Sequence, residues 1–164
     1  MKLSPLYTVR FSYPEDWGVE IKASGSGKES PAEEEHFAFA HGRVEGKITG
    51  EFHGANHPHR RMDKTFAMNL QGYIKTEDGT LIMTDYRGYG RSSVLTNSKH
   101  RFRQVVGAAY HVTDGEKYRW LNDSVCAIVG EVRRPLDIPY EKVKQSDVML
   151  VFDVAELIWE PTTE

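Results

Sequence analysis

From Phe66 to Lys75 the chain alternates, with Phe66, Met68, Leu70 and Ile74 on one face of an extended segment and Asn69, Gln71 and Tyr73 on the other. A period of two marks a strand lying between two different environments. The run ends at Asp78-Gly79, and TLIMTDYRGYGR continues as its partner. Asp-Gly suits a turn whose central residues need positive φ, so the pair predicts a hairpin. Asp114-Gly115 predicts a second hairpin, with VVGAAYHVT leading in and KYRWLNDSVCAIVGEV leading out. LYTVRFSY near the N-terminus is a strand by its β-branched and aromatic content. Helical periodicity is scarce throughout.

The C-terminal run DVMLVFDVAELIW is apolar on both faces: Val148, Leu150, Phe152 and Val154 on one, Met149, Val151, Ala155, Leu157 and Trp159 on the other. A strand buried on both sides needs a second covering surface. With so little helix available, the expectation is a homo-oligomer joined through this C-terminal strand. Residues 23–35, ASGSGKESPAEEE, read as a mobile surface loop, and residues 91–101, RSSVLTNSKHR, as a second loop. Residues 133–147 hold two prolines, which restrict helix and ladder alike, and read as a surface connection.

Chain length of 164 residues suits a single domain, 1–164, with a core around one site. About seven to nine antiparallel strands joined by hairpins make a closed up-and-down barrel or a sandwich. Closure removes exposed edges, and about eight strands leave room for one small ligand. The expected fold is therefore all-β: an antiparallel up-and-down, lipocalin-like (calycin-type) β-barrel with few short helices.

A net charge of −3 offers no reason to expect nucleic acid or an anionic membrane as partner. No segment approaches the roughly 18 apolar residues that span a bilayer, and the N-terminus has no signal-peptide pattern. The lone Cys126, within SVCAIV, reads as a small core residue, and the absence of a possible disulfide pair suits a cytoplasmic location.

Several short motifs occur in a fixed order: Gly42-Arg43, then Gly50, Phe52 and Gly54 at alternate positions, then Thr76-Glu77-Asp78-Gly79 before an apolar strand, then Trp120-Leu121-Asn122. In this order, over roughly residues 5 to 158, they resemble an uncharacterised bacterial family of small lipocalin-like β-barrel proteins, the domain of unknown function 3237 family. The resemblance implies a barrel with a ligand pocket, and no particular reaction. Where family members tend to carry a Gly- and Pro-rich loop, this chain has NHPHRRMD.

That loop supplies the candidate chemistry. His57 and His59 form a His-x-His with Asp63 following, a partial cupin-like ligand set without its second motif. Arg61 and Asp63, like Asp85 and Arg87, stand two apart and share a face if extended. A carboxylate raised by desolvation and lowered by a nearby arginine can be poised as a general base.

The expected function is a small-molecule-binding barrel performing cofactor-independent acid–base chemistry (isomerase, lyase or cyclase) on a carbonyl or aromatic metabolite. Asp63 or Asp85 would act as base with His57 as shuttle. Arg61 and Arg87 would hold negative charge, while Asn69, Tyr73, Trp120 and Asn122 would orient the ligand. The alternatives are a non-catalytic binding protein for a hydrophobic small molecule and a metalloenzyme using His57, His59 and Asp63. No cofactor is expected. GYGR at residues 88–91 lacks the strand-to-helix context of a phosphate loop.

Overall fold

The computed structural model describes residues 1–14, 19–23, 33–63, 65–92 and 103–161. Its strands are β1 (Lys2–Ser12), β2 (Val19–Ala23), β3 (Glu33–Gly46), β4 (Gly50–Asn56), β5 (His59–Arg60), β6 (Phe66–Thr76), β7 (Leu81–Ser92), β8 (Arg103–Val112), β9 (Cys126–Arg133) and β10 (Met149–Ile158). The order runs β1, β10, β9, β8, β7, β6, β4, β3, and β3 pairs back onto β1. Among the described residues this closes an antiparallel barrel of 8 strands. β2 pairs with the first half of β3, and β5 bridges β3 and β6 at the same end.

The period of two sets the interior. Tyr7, Val9 and Phe11 of β1, Phe52 of β4, Leu70 and Ile74 of β6, Ile82 and Tyr86 of β7, and Phe152 of β10 are all buried. Each such aliphatic or aromatic side chain contributes roughly 1.5–3 kcal/mol by leaving water. Phe11 lies 5.5 Å from Phe52 and 5.1 Å from Phe152, ring centroid to centroid. Tyr86 stacks on Phe52 at 5.8 Å. Tight curvature is helped where Gly88 faces Gly107 across β7 and β8: a Cβ on Gly107 would lie 2.0 Å from the Arg87 carbonyl oxygen.

Beyond this aromatic layer the lumen is plugged. The Tyr7 hydroxyl hydrogen-bonds the Tyr86 hydroxyl at 2.9 Å and His111 Nε2 at 2.5 Å, and Cys126 Sγ lies 4.0 Å from His111 Nδ1. Burial drives His111 down to about 4, so the imidazole is neutral. Burial also pushes the Cys126 thiol up to about 11, which leaves it an inert core residue. Ile48 and a 3-10 helix, Glu116–Asp123, complete this end, the helix contributing Tyr118 and Leu121 to the core. The opposite end stays open.

The first hairpin forms as expected, with Gly79 at φ +84°. Asp78 accepts hydrogen bonds from Thr76 Oγ1 at 2.5 Å and the Thr80 amide at 3.2 Å, which hold its carboxylate well below the usual range. The second departs from the expectation. Gly115 has φ −67°, no tight turn follows, and KYRWLND becomes the 3-10 helix, so the next strand begins only at Cys126. Ala23 belongs to β2 and Glu33, Glu34 and Glu35 to β3, not to a mobile loop, and Arg91 and Ser92 extend β7; residues 24–32 and 93–102 lie outside the described residues.

In β10, Leu150, Phe152 and Val154 face inward as the alternation predicts. On its outer side Val151 is buried and Ala155 and Leu157 are half-buried within this one chain, while Asp153 accepts a hydrogen bond from Thr8. Among the described residues no helix is long and apolar enough to cross a membrane.

Candidate functional site

A cavity of about 390 Å³ occupies the open end of the barrel. Its floor is apolar, made by Ala38, Met68, Val105, Leu150 and Phe152 from four strands. Tyr13, His36 and Asn56 line one wall, and Arg103, Arg134 and Lys144 also line it. The segment between β9 and β10, with short 3-10 turns at Tyr140–Lys142 and Gln145–Asp147, brings Val143, Lys144 and Gln145 to the rim. No aspartate or glutamate is among the described lining residues. Three cationic side chains are thus gathered around this end of the barrel.

The polar groups are held by identifiable contacts. Asn56 Nδ2 donates to the Tyr13 hydroxyl at 2.7 Å. Burial pushes the Tyr13 phenol up to about 12, against smaller opposing effects of that hydrogen bond and of the Arg103 charge. The phenol is therefore protonated, and with its oxygen already accepting from Asn56 its own proton is available to a further acceptor. Among the described residues, Asn56 Oδ1 and His36 Nε2 are buried without a hydrogen-bond partner. His36 Nε2 lies 3.6 Å from a Glu34 carboxylate oxygen, and Glu34 takes Arg60 Nη1 at 2.7 Å. Arg103 sits over the Phe66 ring at 3.9 Å, a cation–π contact. Gly90 gives its stem room, since a Cβ there would meet Arg103 Cδ at 2.9 Å.

None of the residues expected from sequence to carry the site lines this cavity. Asp85 and Arg87 lie on the outer wall of β7, where they pair with each other at 2.6 Å. The inward positions of β7 are the even ones, Ile82, Thr84 and Tyr86. Asn69 and Tyr73 fall on the outer wall of β6 for the same reason, and Tyr73 stacks on His53 at 5.3 Å. Asp63 sits in an exposed turn, accepting the Thr65 amide at 3.0 Å and pairing with Arg61 at 2.9 Å. The Thr65 amide lowers the Asp63 carboxyl, which suits a turn cap and opposes a general base.

His57 pairs with Glu35 at 3.2 Å, and His59 hydrogen-bonds the other oxygen of the same carboxylate. Asp63 is paired elsewhere, so these three do not form a ligand cluster among the described residues. Trp120 is 42 % exposed on the 3-10 helix. Asn122 clamps Thr113, its Oδ1 accepting the amide at 2.8 Å and its Nδ2 donating to the carbonyl at 2.9 Å.

The residues that do line the cavity had a readable signal. Asn56 continues the inward alternation of Gly50, Phe52 and Gly54, and Tyr13 continues that of Tyr7, Val9 and Phe11. A polar residue extending an apolar period at a strand's end marks a lumen mouth. Arg103, Arg134 and Lys144 carried no comparable pattern.

Solved structures of similar fold place these features in context. A β-barrel-like protein from Acinetobacter baumannii is 18% identical, with 94% of each chain covered and a TM-score of 0.69. A conserved protein of unknown function from Rhodopseudomonas palustris is 14% identical over 96% of this chain and 97% of its own, at TM-score 0.68. A protein from Penicillium herquei described as an enzyme is 16% identical over 93% of each chain, at TM-score 0.54. No functionally curated protein matches this sequence. Residues 1–144 match the family described as "Protein of unknown function (DUF3237)", and the chain belongs to that family.

Proposed function

We propose that the open end of the barrel binds a small amphipathic organic anion, an apolar or aromatic body bearing a carboxylate, enolate or phenolate oxygen. The observation that carries this reading is the lining: an apolar floor, three cationic side chains, and no acidic side chain among the described residues. A cavity of this size and mostly apolar character suits a single metabolite. Arg103 would meet the anionic oxygen, and Tyr13 would donate its phenolic proton to it. A donor on the ligand would satisfy Asn56 Oδ1, whose burial without a partner costs about 1–3 kcal/mol.

Within this reading the chemistry is cofactor-independent proton transfer. His36 is the proton acceptor, with Glu34 beside it to stabilise the imidazolium. Tyr13 and Arg103 hold the developing enolate, a role that preorganised donors perform best in a partly dry pocket. That a barrel of this fold from Penicillium herquei is described as an enzyme supports looking for catalysis in such a scaffold.

Binding is tested with anilinonaphthalene sulfonate, an aromatic anion whose fluorescence reports entry into an apolar site. Arg103→Ala is expected to weaken it by about tenfold or more, equivalent to at least about 1.4 kcal/mol, while Asp85→Asn leaves it unchanged. Equal affinity in both variants would remove the pocket from consideration. For catalysis, any metabolite retained through purification is incubated with the protein in D2O. Deuterium incorporation that disappears in His36→Gln is the expected result. A ligand bound by both proteins and returned unlabelled by both would make the barrel a carrier.

A further inference from the structure

On the outer wall of the barrel, away from the open-end cavity, three side chains bring metal-ligating atoms together. His41 on β3 and His53 on β4 are register partners, and their ring centroids lie 4.6 Å apart. Glu51 stands two residues before His53 on the same face, its carboxylate 3.6 Å from His53 Nε2. The donor atoms of all three lie within 4.8 Å of one another. We infer that His41, Glu51 and His53 form a binding site for a divalent transition metal, Zn2+ first and Cu2+ or Ni2+ by the same donor set.

The surroundings favour this over a chance surface grouping. Tyr73 on β6 stacks on the other side of His53 at 5.3 Å and 21°, so His53 is held between two rings in a row across three strands. Arg43 is the register partner of Glu51, yet its guanidinium is drawn to Glu77 at 3.3 Å and Glu45 at 3.7 Å. Glu51 is thereby left facing the histidines. All three donors sit on paired strands of a closed sheet, so the backbone frame is rigid and only side-chain rotation is needed to close on an ion.

Two imidazoles and one carboxylate make a borderline donor set that selects zinc, copper or nickel over magnesium or calcium. Three protein ligands leave a coordination position open on an exposed face. A water, or a donor from another molecule, can fill it.

Untagged protein is titrated with Zn2+ in competition with a chromophoric chelator, and Cu2+ is followed by electron paramagnetic resonance for nitrogen coupling. The expected result is one ion per chain with micromolar affinity and two coupled nitrogens. His41→Gln and His53→Gln are each expected to weaken binding by more than about tenfold. The double variant His57→Gln/His59→Gln is expected to bind as the wild type does. Circular dichroism verifies that each variant is folded; the substituted side chains lie on the outer wall. Substoichiometric or millimolar binding, or binding lost on changing His57 and His59 and kept on changing His41 and His53, overturns the assignment.

Discussion

Asn122 commits its whole side-chain amide to one backbone position, accepting the Thr113 amide and donating to the Thr113 carbonyl. The pair ties the start of the β8–β9 connection to the end of its 3-10 helix, and so sets the chain's path across the closed end. Asn122→Ala would leave both Thr113 groups to find water, and a loss of about 1–2 kcal/mol in denaturant unfolding is expected. Asp85 and Arg87 offer the contrast. They form an ion pair at 2.6 Å that is nearly half exposed on the outer wall, and such pairs contribute about 0–1 kcal/mol. Asp85→Asn is expected to change stability by less than about 0.5 kcal/mol and to leave ligand binding untouched. Substantial destabilisation in this variant would mean that the pair carries more than its surface position implies.

The 3-10 helix Glu116–Asp123 performs as a stopper what its sequence suggested for a strand. Leu121 is fully buried and Tyr118 nearly so, while Trp120 points away from the core and stays exposed. Trp-Leu-Asn thus divides its work within one turn: a surface aromatic, a plug and a clamp. Leu121→Ala opens a cavity at the closed end, for which a cost of about 2–5 kcal/mol is expected. Equilibrium unfolding monitored by tryptophan fluorescence would measure it. Trp120→Ala is expected to cost far less, and the reverse order would refute the plug. Within the barrel wall, β7 and β8 depend on the facing glycines 88 and 107. Gly107→Ala forces a Cβ against the Arg87 carbonyl, and a lowered melting temperature follows from that clash.

At the scale of the whole molecule, the buried Tyr7–Tyr86–His111 group makes stability depend on pH. His111 is 3 % exposed and its folded pKa lies at about 4, below the 6.5 of an unfolded histidine. Above pH 6.5 the imidazole is neutral in both states and nothing is lost. As pH falls from 6.5 towards 4 the unfolded chain takes up a proton that the folded barrel refuses, and stability declines. A difference of this size amounts to roughly 3 kcal/mol once the pH is below both values. Denaturant midpoints measured from pH 7.5 to 4 are expected to fall over that window, and His111→Gln is expected to flatten the decline. An unchanged slope in His111→Gln would assign the acid sensitivity to other groups.

What could be read from the sequence was whatever a single strand decides locally. Alternation at Phe66–Lys75 and in the C-terminal run separated two faces, and the Asp78-Gly79 turn and family motif order pointed to an antiparallel barrel. Alternation does not say which face turns inward: the even, apolar positions of β6 and β7 fill the lumen. Asp85, Arg87, Asn69 and Tyr73, expected in the lumen, therefore lie on the outer wall.

Local sequence fixes which side chains share a face, because successive Cβ atoms point to opposite sides of the pleat wherever the strand runs. Only closure of the cylinder decides which positions become a mouth. Tyr13, His36, Asn56 and Arg103 meet there from β3, β4, β8 and the residue following β1, brought together by register across many strands and not by any spacing along the chain.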